Sequence, residues 1–323
     1  MKNNNIKNED KKFFINLDKL VVAYHHNKQL EEQLNKVRND MEFFSSSILD
    51  FKGFRLKNTN NGKKIKRYYK DSYDIYVDCL IDNQIKEKKF GTLHFNSKLF
   101  EDNKYMYIAI ENEMLYREEV NSIYYISDCL GLSYSHVCSL DIAIDSNVDF
   151  HLYPLNFNKH KNVIPIIRNK KIKDRNKKIK KYGYNCDGSI NEPFKDKTLY
   201  IKNEDNSRIL LCRMYNKKEE IEEVSKKYYI IDKLEIKGKN LYRLEMSVNS
   251  KSLYESLKNI SLYDKDKSNP FTYREIISEE LYSNLFNKPY ILKLFNVLLN
   301  RLIRVNVDNK TISFLEYVKE YDA

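Results

Sequence analysis

At 323 residues and 41% hydrophobic content, the chain is long enough for one large or two ordinary domains with a real core, and its net charge of +11 favours a polyanionic partner. Five cysteines, odd in number and without a Cys-x-x-Cys pair, argue against a disulfide framework or a zinc ribbon and fit a reducing cytoplasm. The longest apolar stretch, 285–303, is broken by Lys288, Pro289, Lys293, Asn300 and Arg301 and falls short of the roughly 18 apolar residues of a membrane span.

Residues 1–12 are rich in Asn and Lys, lack the apolar segment of a signal peptide, and read as a disordered lead-in. Residues 13–24 then alternate as a strand, and 27–49 show helical spacing through Leu30, Leu34, Val37 and Met41. Strand-like pieces rich in aromatic and β-branched residues follow at 51–56, 73–81, 90–96 and 105–110. Just before the second of them, Lys63, Lys64, Lys66, Arg67 and Lys70 surround the pair Tyr68-Tyr69, a combination suited to stacking bases of single-stranded DNA and equally to an ordinary edge strand. A helix over 116–130 leads into a strand at 136–145.

Residues 156–193 read as a long basic loop. From Arg168 to Lys181, nine of fourteen residues are cations (Arg168, Lys170, Lys171, Lys173, Arg175, Lys177, Lys178, Lys180 and Lys181) against the single acid Asp174. Such a block repels itself and stays solvated, yet it can also clamp phosphates in a salt-sensitive way, so these residues are the expected DNA-binding cations. Strands return at 198–202 and 208–216. Asn216 with Glu219 predicts an N-cap and capping box for a helix to about Lys226, and 241–248 is the next strand. From 249 onward helical patterns dominate, notably 274–286 and 290–304, with a domain boundary near 264–270. The expected fold is α+β, a mostly antiparallel sheet with packed helices over 13–263, followed by a small helical C-terminal domain at 264–323.

Alternation in the strand Leu140-Asp141-Ile142-Ala143-Ile144-Asp145 sends Asp141 and Asp145 to one face with Ala143. Acids on a half-exposed sheet usually face water, but carboxylates within an otherwise apolar strand also suit a divalent cation or a basic partner, and Arg243 and Glu245 share a face in a second such strand. Four residues span about 13 Å, too far for Asp141 and Asp145 to grip one Mg²⁺ easily, so Asp141 with Glu245 is the expected ligand pair and Asp145 the weaker ligand. No His-hydrophobic-His element is present, so a bound metal would rest on hard oxygens, which favour Mg²⁺ or Mn²⁺. Tyr215 lies between Arg213 and Lys217 on the same side of an extended segment, while Leu210, Cys212 and Met214 point the other way. Its phenol, with an ordinary pKa near 10, needs help to attack phosphorus, and flanking cations supply some of it.

The segment Arg213-Met214-Tyr215-Asn216-Lys217-Lys218-Glu219-Glu220 resembles the Arg-x-Tyr-Asn-Lys-Lys-x-Glu block of the Rep-trans family, the rolling-circle replication initiators related to conjugative-transposon relaxases. Asp141-Ile142-Ala143-Ile144-Asp145 is similar to that family's Asp-x-Ala-x-Asp strand and Arg243-Leu244-Glu245 to its Arg-x-Glu strand. The likeness spans roughly residues 13–250, and it departs from the pattern at Ser139, where arginine is usual, and at 200–207, which lack the usual glycine turn. It implies Tyr215 as nicking nucleophile, metal-site acids on the two strands, origin recognition aided by the C-terminal part, and a homodimer.

The resulting expectation is a cytoplasmic initiator, free of the membrane, that nicks the double-strand origin of a plasmid or mobile element. Tyr215 would be joined to a 5′-phosphate, leaving a 3′-hydroxyl for the host polymerase. Arg213, Lys217 and Arg243 would contact phosphate, a divalent ion would sit on Asp141 and Glu245, and a host helicase and the single-stranded nick region would be further partners. A conjugative relaxase with the same chemistry and a non-enzymatic origin-binding protein are the alternatives.

Overall fold

In the computed structural model the residues described are 11–40, 48–58, 69–97, 104–156, 162–167, 170–171, 198–202, 209–234, 240–258 and 273–321. The chain divides into two compact units: Asp18–Leu140, and the residues up to Leu17 together with Asp141–Ala323. The fold class is α+β, as expected. The boundary expected at 264–270 lies outside the described residues; the described C-terminal helices share a unit with the strands of residues 198–249.

In the first unit β1 (Phe13–His25, shared with the other unit up to Leu17) leads to α1 (Lys28–Asp40) and then β2 (Ile48–Phe51), β3 (Phe54–Asn58), β4 (Tyr69–Ile81), β5 (Gln84–Ser97) and β6 (Tyr105–Ile110). Two short 3₁₀ turns and α2 (Ser122–Cys129) follow where one continuous helix over 116–130 was expected, and β7 (Tyr134–Ser146) leaves the unit after Leu140. The strand order is β1-β6-β5-β4-β3-β2, and each neighbouring pair in it is antiparallel. One sheet face is apolar: Phe54, Leu56, Tyr73, Ile75, Leu93, Phe95 and Ile108 are buried, along with Leu30 and Leu34 of α1 and Ile123 and Ile126 of α2. The Tyr73 hydroxyl donates to the Leu34 carbonyl at 3.0 Å, tying α1 to that face. Gly91 is required where β5 and β6 approach, because a Cβ there would run into the Ala109 carbonyl.

In the second unit β7 continues to Ser146, followed by α3 (Leu152–Asn156), β8 (Val163–Ile167), β9 (Lys170–Lys171), β10 (Thr198–Lys202), β11 (Leu210–Asn216), α4 (Lys217–Glu220), α5 (Tyr228–Leu234) and β12 (Tyr242–Asn249). The remaining elements are α6 (Ser250–Leu257), α7 (Tyr273–Ser283), α8 (Lys288–Leu302), β13 (Ile303–Val307), β14 (Lys310–Ser313) and α9 (Phe314–Glu320). Strands β10, β11, β12, β7 and the start of β1 lie side by side, and a smaller sheet has the order β14-β13-β8-β9.

Two expectations change here. Part of the expected basic loop is strand, since the apolar run Val163, Pro165, Ile166 and Ile167 pairs with β13. The helix expected to reach 304 ends at Leu302, and a hairpin turns through Asp308 and Asn309, both at positive φ. Helix α8 itself follows the sequence: Asn287 caps it through the Tyr290 amide, Pro289 sits in the first turn, and Ile291, Leu294, Phe295, Leu298, Leu299 and Leu302 form its buried stripe. Among the described residues no helix is long and apolar enough to cross a membrane.

Candidate active site

Strands β11 and β12 bring the singled-out residues together through their register. Cys212 pairs with Met246 and Met214 with Leu244, so one face of this ladder is apolar and buried. Pairing of Arg213 with Glu245 and of Tyr215 with Arg243 puts these four on the opposite face. Alternation along β7 likewise separates Asp141 and Asp145 from Leu140, Ile142 and Ile144. Neither acid faces water as it would on a half-exposed sheet: Asp141 is 9% exposed and Asp145 fully buried.

The polar face holds two charge clusters. In the deeper one Arg243 grips Asp145 with two parallel bonds, Nε to Oδ1 at 2.7 Å and Nη2 to Oδ2 at 2.8 Å, and both side chains are 0% exposed. A guanidinium enclosed with its carboxylate is not presented to a phosphate, and that carboxylate is not free for a metal. The expectations of Arg243 as a phosphate contact and of Asp145 as a weaker ligand therefore give way, because burial makes each the other's partner.

In the shallower cluster the Tyr215 hydroxyl donates to Glu245 Oε2 at 2.9 Å. The other oxygen of Glu245 accepts from Arg213 Nη2, which also donates to Ser247 Oγ at 2.9 Å and lies 3.4 Å from Asp141 Oδ2. Burial works against the charge of Arg213, but Glu245 first, then Asp141 and Tyr215, hold its guanidinium pKa above the ordinary value. Arg213 Nε is buried without a hydrogen-bond partner. Tyr215 is half-buried, neither sunk in the core nor turned from the acids. Behind the site burial drives the Cys212 thiol pKa up, and Glu245 adds to the shift, so that sulfur is inert.

Lys217 departs from the expected phosphate contact. It begins α4, is 2% exposed, donates to Glu220 Oε2 at 2.6 Å, and has its ammonium 5.7 Å from the centre of the Tyr215 ring. Glu220 also accepts from Ser225 Oγ at 3.2 Å. This places Lys217 as a buried support beneath the Tyr215 ring. Asn216 caps α4 by accepting from the Glu219 amide at 3.1 Å, which fixes the turn just after Tyr215.

As arranged, the acids do not fit a divalent ion. Asp141 and Glu245 are donors of the right kind, but Arg213 already stands between them, and among the described residues no group of three or more His, Cys, Asp or Glu gathers to hold a metal.

No family model and no curated protein matches this chain. Among solved structures it is similar to one described as "Structure of Rolling Circle Replication Initiator Protein from Geobacillus stearothermophilus", at 10% identity over 83% of this chain and 97% of that one, with a TM-score of 0.30. A likeness at that level carries no argument about the site.

Of the basic loop, only the backbone of Lys170 and Lys171 is described, as β9; Arg168, Lys173, Arg175, Lys177, Lys178, Lys180 and Lys181 lie outside the described residues. Sequence reasoning missed Ser247, whose hydroxyl anchors Arg213. Its signal was present, since it stands two residues beyond Glu245 on the same strand and therefore on the same face.

Proposed function

We propose that this protein is a replication initiator that nicks one strand of its origin through Tyr215. The observation that carries this reading is the bond from the Tyr215 hydroxyl to Glu245 Oε2, on a carboxylate that Arg213 holds from its other side. A phenol hydrogen-bonded to a fixed carboxylate at the rim of a charged cluster has the parts of a nucleophile and its proton acceptor.

Full proton transfer from an ordinary phenol to an ordinary glutamate is uphill by about six pKa units, roughly 8 kcal/mol. Glu245 therefore takes the proton as the bond to phosphorus forms, and Arg213 stabilises the charge that gathers there. The Tyr215 oxygen joins phosphorus, the bond from phosphorus to the 3′-oxygen breaks, and that oxygen takes a proton from solvent to leave as a 3′-hydroxyl, while Glu245 returns its proton to solvent. The phosphotyrosine link stores the energy of the broken diester, so the strand can be resealed by the reverse reaction.

Mg²⁺ or Mn²⁺ belongs to the proposal only with Arg213 moved aside, when Asp141 and Glu245 would be the residues to hold it. The test is incubation of end-labelled origin DNA with the protein on a denaturing gel. Wild type is expected to form a covalent adduct and a nick, and Tyr215→Phe to form neither. Nicking by Tyr215→Phe at the wild-type rate sinks the mechanism. A protein that binds the origin with salt-sensitive affinity yet gives no adduct with any metal is the non-enzymatic binder.

A further inference from the structure

The unit of residues 18–140 carries a feature the nicking chemistry does not use. Opposite its apolar face the sheet presents a row of rings. Register places His94 beside Tyr107 and His25 beside Tyr105, all on one face. Tyr69 stacks on His94 with centroids 4.7 Å apart and planes 12° from parallel, and it lies 5.5 Å from Tyr107. Tyr107 is 6.3 Å from Tyr105, whose ring meets His136 edge-on at 5.2 Å and His25 at 6.0 Å. Strands β4, β5, β6, β1 and β7 thus contribute one continuous chain of rings, each half-buried or exposed.

We propose that this row is a stacking platform for the bases of single-stranded DNA. Rings at these spacings on an open sheet face offer π surfaces that any base can cover, independent of its sequence. The edges are polar: Ser72 Oγ bonds His94 at 2.8 Å, Ser135 Oγ bonds His136 at 3.0 Å, and Cys138 Sγ lies 3.5 Å from His136. An apolar partner would strand these groups, whereas a nucleobase presents a flat apolar face with hydrogen-bonding edges.

Charge points the same way. Burial, followed by Cys138, Tyr69 and Tyr105, raises the Tyr107 phenol to about 12, and among the described residues no carboxylate contributes. On the same face Asp74, two residues beyond Ser72 on β4, has its charge answered by Lys89 at 2.8 Å. In the sequence Lys63, Lys64, Lys66 and Arg67, which lie outside the described residues, precede Tyr69, and Lys70 follows it.

The experiment uses the full chain and a short oligothymidine carrying a single 2-aminopurine, whose fluorescence is quenched on stacking. Tyr107→Leu is expected to weaken binding on the order of ten- to a hundredfold and to relieve the quenching, while Tyr107→Phe, which keeps the ring, binds as wild type. An abasic strand of the same length should bind as weakly to wild type as the normal strand binds to Tyr107→Leu, and duplex affinity should be unmoved by either variant. If Tyr107→Leu lowers the melting temperature, His136→Ala tests the other end of the row. Unchanged affinity and quenching in whichever of these variants folds as wild type, or equal binding of the abasic strand, overturns the platform. Tyr215→Phe keeps the two proposals apart. Nicking with no effect of the platform variants sinks this inference alone, and stacking without a Tyr215 adduct sinks the nicking reading alone.

Discussion

Replacing Asp145 by Ala leaves Arg243 without its counter-charge at a site where both side chains are wholly buried. Removing one partner of a buried, bidentate pair costs about 3–5 kcal/mol, because the remaining ion has lost its hydration and now its partner as well. Since most proteins hold only about 5–15 kcal/mol of stability, that loss is expected to bring the unit formed by Asp141–Ala323 and the residues up to Leu17 close to unfolding at room temperature. Arg243→Met should cost a similar amount, whereas the double replacement Asp145→Leu with Arg243→Met should return to about the wild-type stability or exceed it, since apolar side chains remove both desolvation penalties. Urea denaturation followed by circular dichroism on the four proteins gives the coupling energy directly. A single-variant loss below about 1 kcal/mol, or additive losses in the double variant, refutes the buried-pair account. So does an Asp145→Asn protein that keeps wild-type stability but loses nicking, which would return Asp145 to the reaction itself.

Arg213→Met removes the cation held between Asp141 and Glu245. Calorimetric Mn²⁺ binding should tighten on the order of tenfold or more, and unchanged affinity would show that the guanidinium does not compete for that place. Gly91→Ala forces a Cβ against the Ala109 carbonyl and should destabilise the 18–140 unit by about 1–3 kcal/mol in a urea melt; a neutral result would mean that β5 and β6 separate freely. Asn216→Ala removes the cap of α4 and should cost about 1 kcal/mol and, on the proposed mechanism, slow nicking, because the turn after Tyr215 loosens; wild-type rates would separate the cap from the placement of Tyr215. Burial pulls the His151 pKa below its ordinary value despite Asp149. The unfolded chain therefore binds this proton more readily, and stability should fall as the pH drops through about 6.5, an effect that His151→Gln should lessen.

Much of the site was legible in the sequence because strand alternation is local. Period two alone put Arg213 and Tyr215 on one side of β11, Arg243 and Glu245 together on β12, and Asp141 with Asp145 on β7, while Asn216 with Glu219 announced the cap. The hairpin at 303–313 was less visible, since Val305 to Ile312 follows a helical stripe without a break and its turn rests on Asp308 and Asn309 at positive φ rather than on glycine.

What sequence could not assign is which charge answers which. Pattern gives the face of a strand but not the depth of a residue along it, and an arginine offered to solvent reads the same as one sealed in the core. Register between β11, β12 and β7 decided that Arg243 would be spent on Asp145, that Lys217 would lie beneath the Tyr215 ring, and that Arg213 would stand between the two remaining acids. Local periodicity fixes side-chain direction, but pairing and burial set the dielectric and the nearest partner, and those two quantities determine whether a charge stabilises the fold or remains free for chemistry.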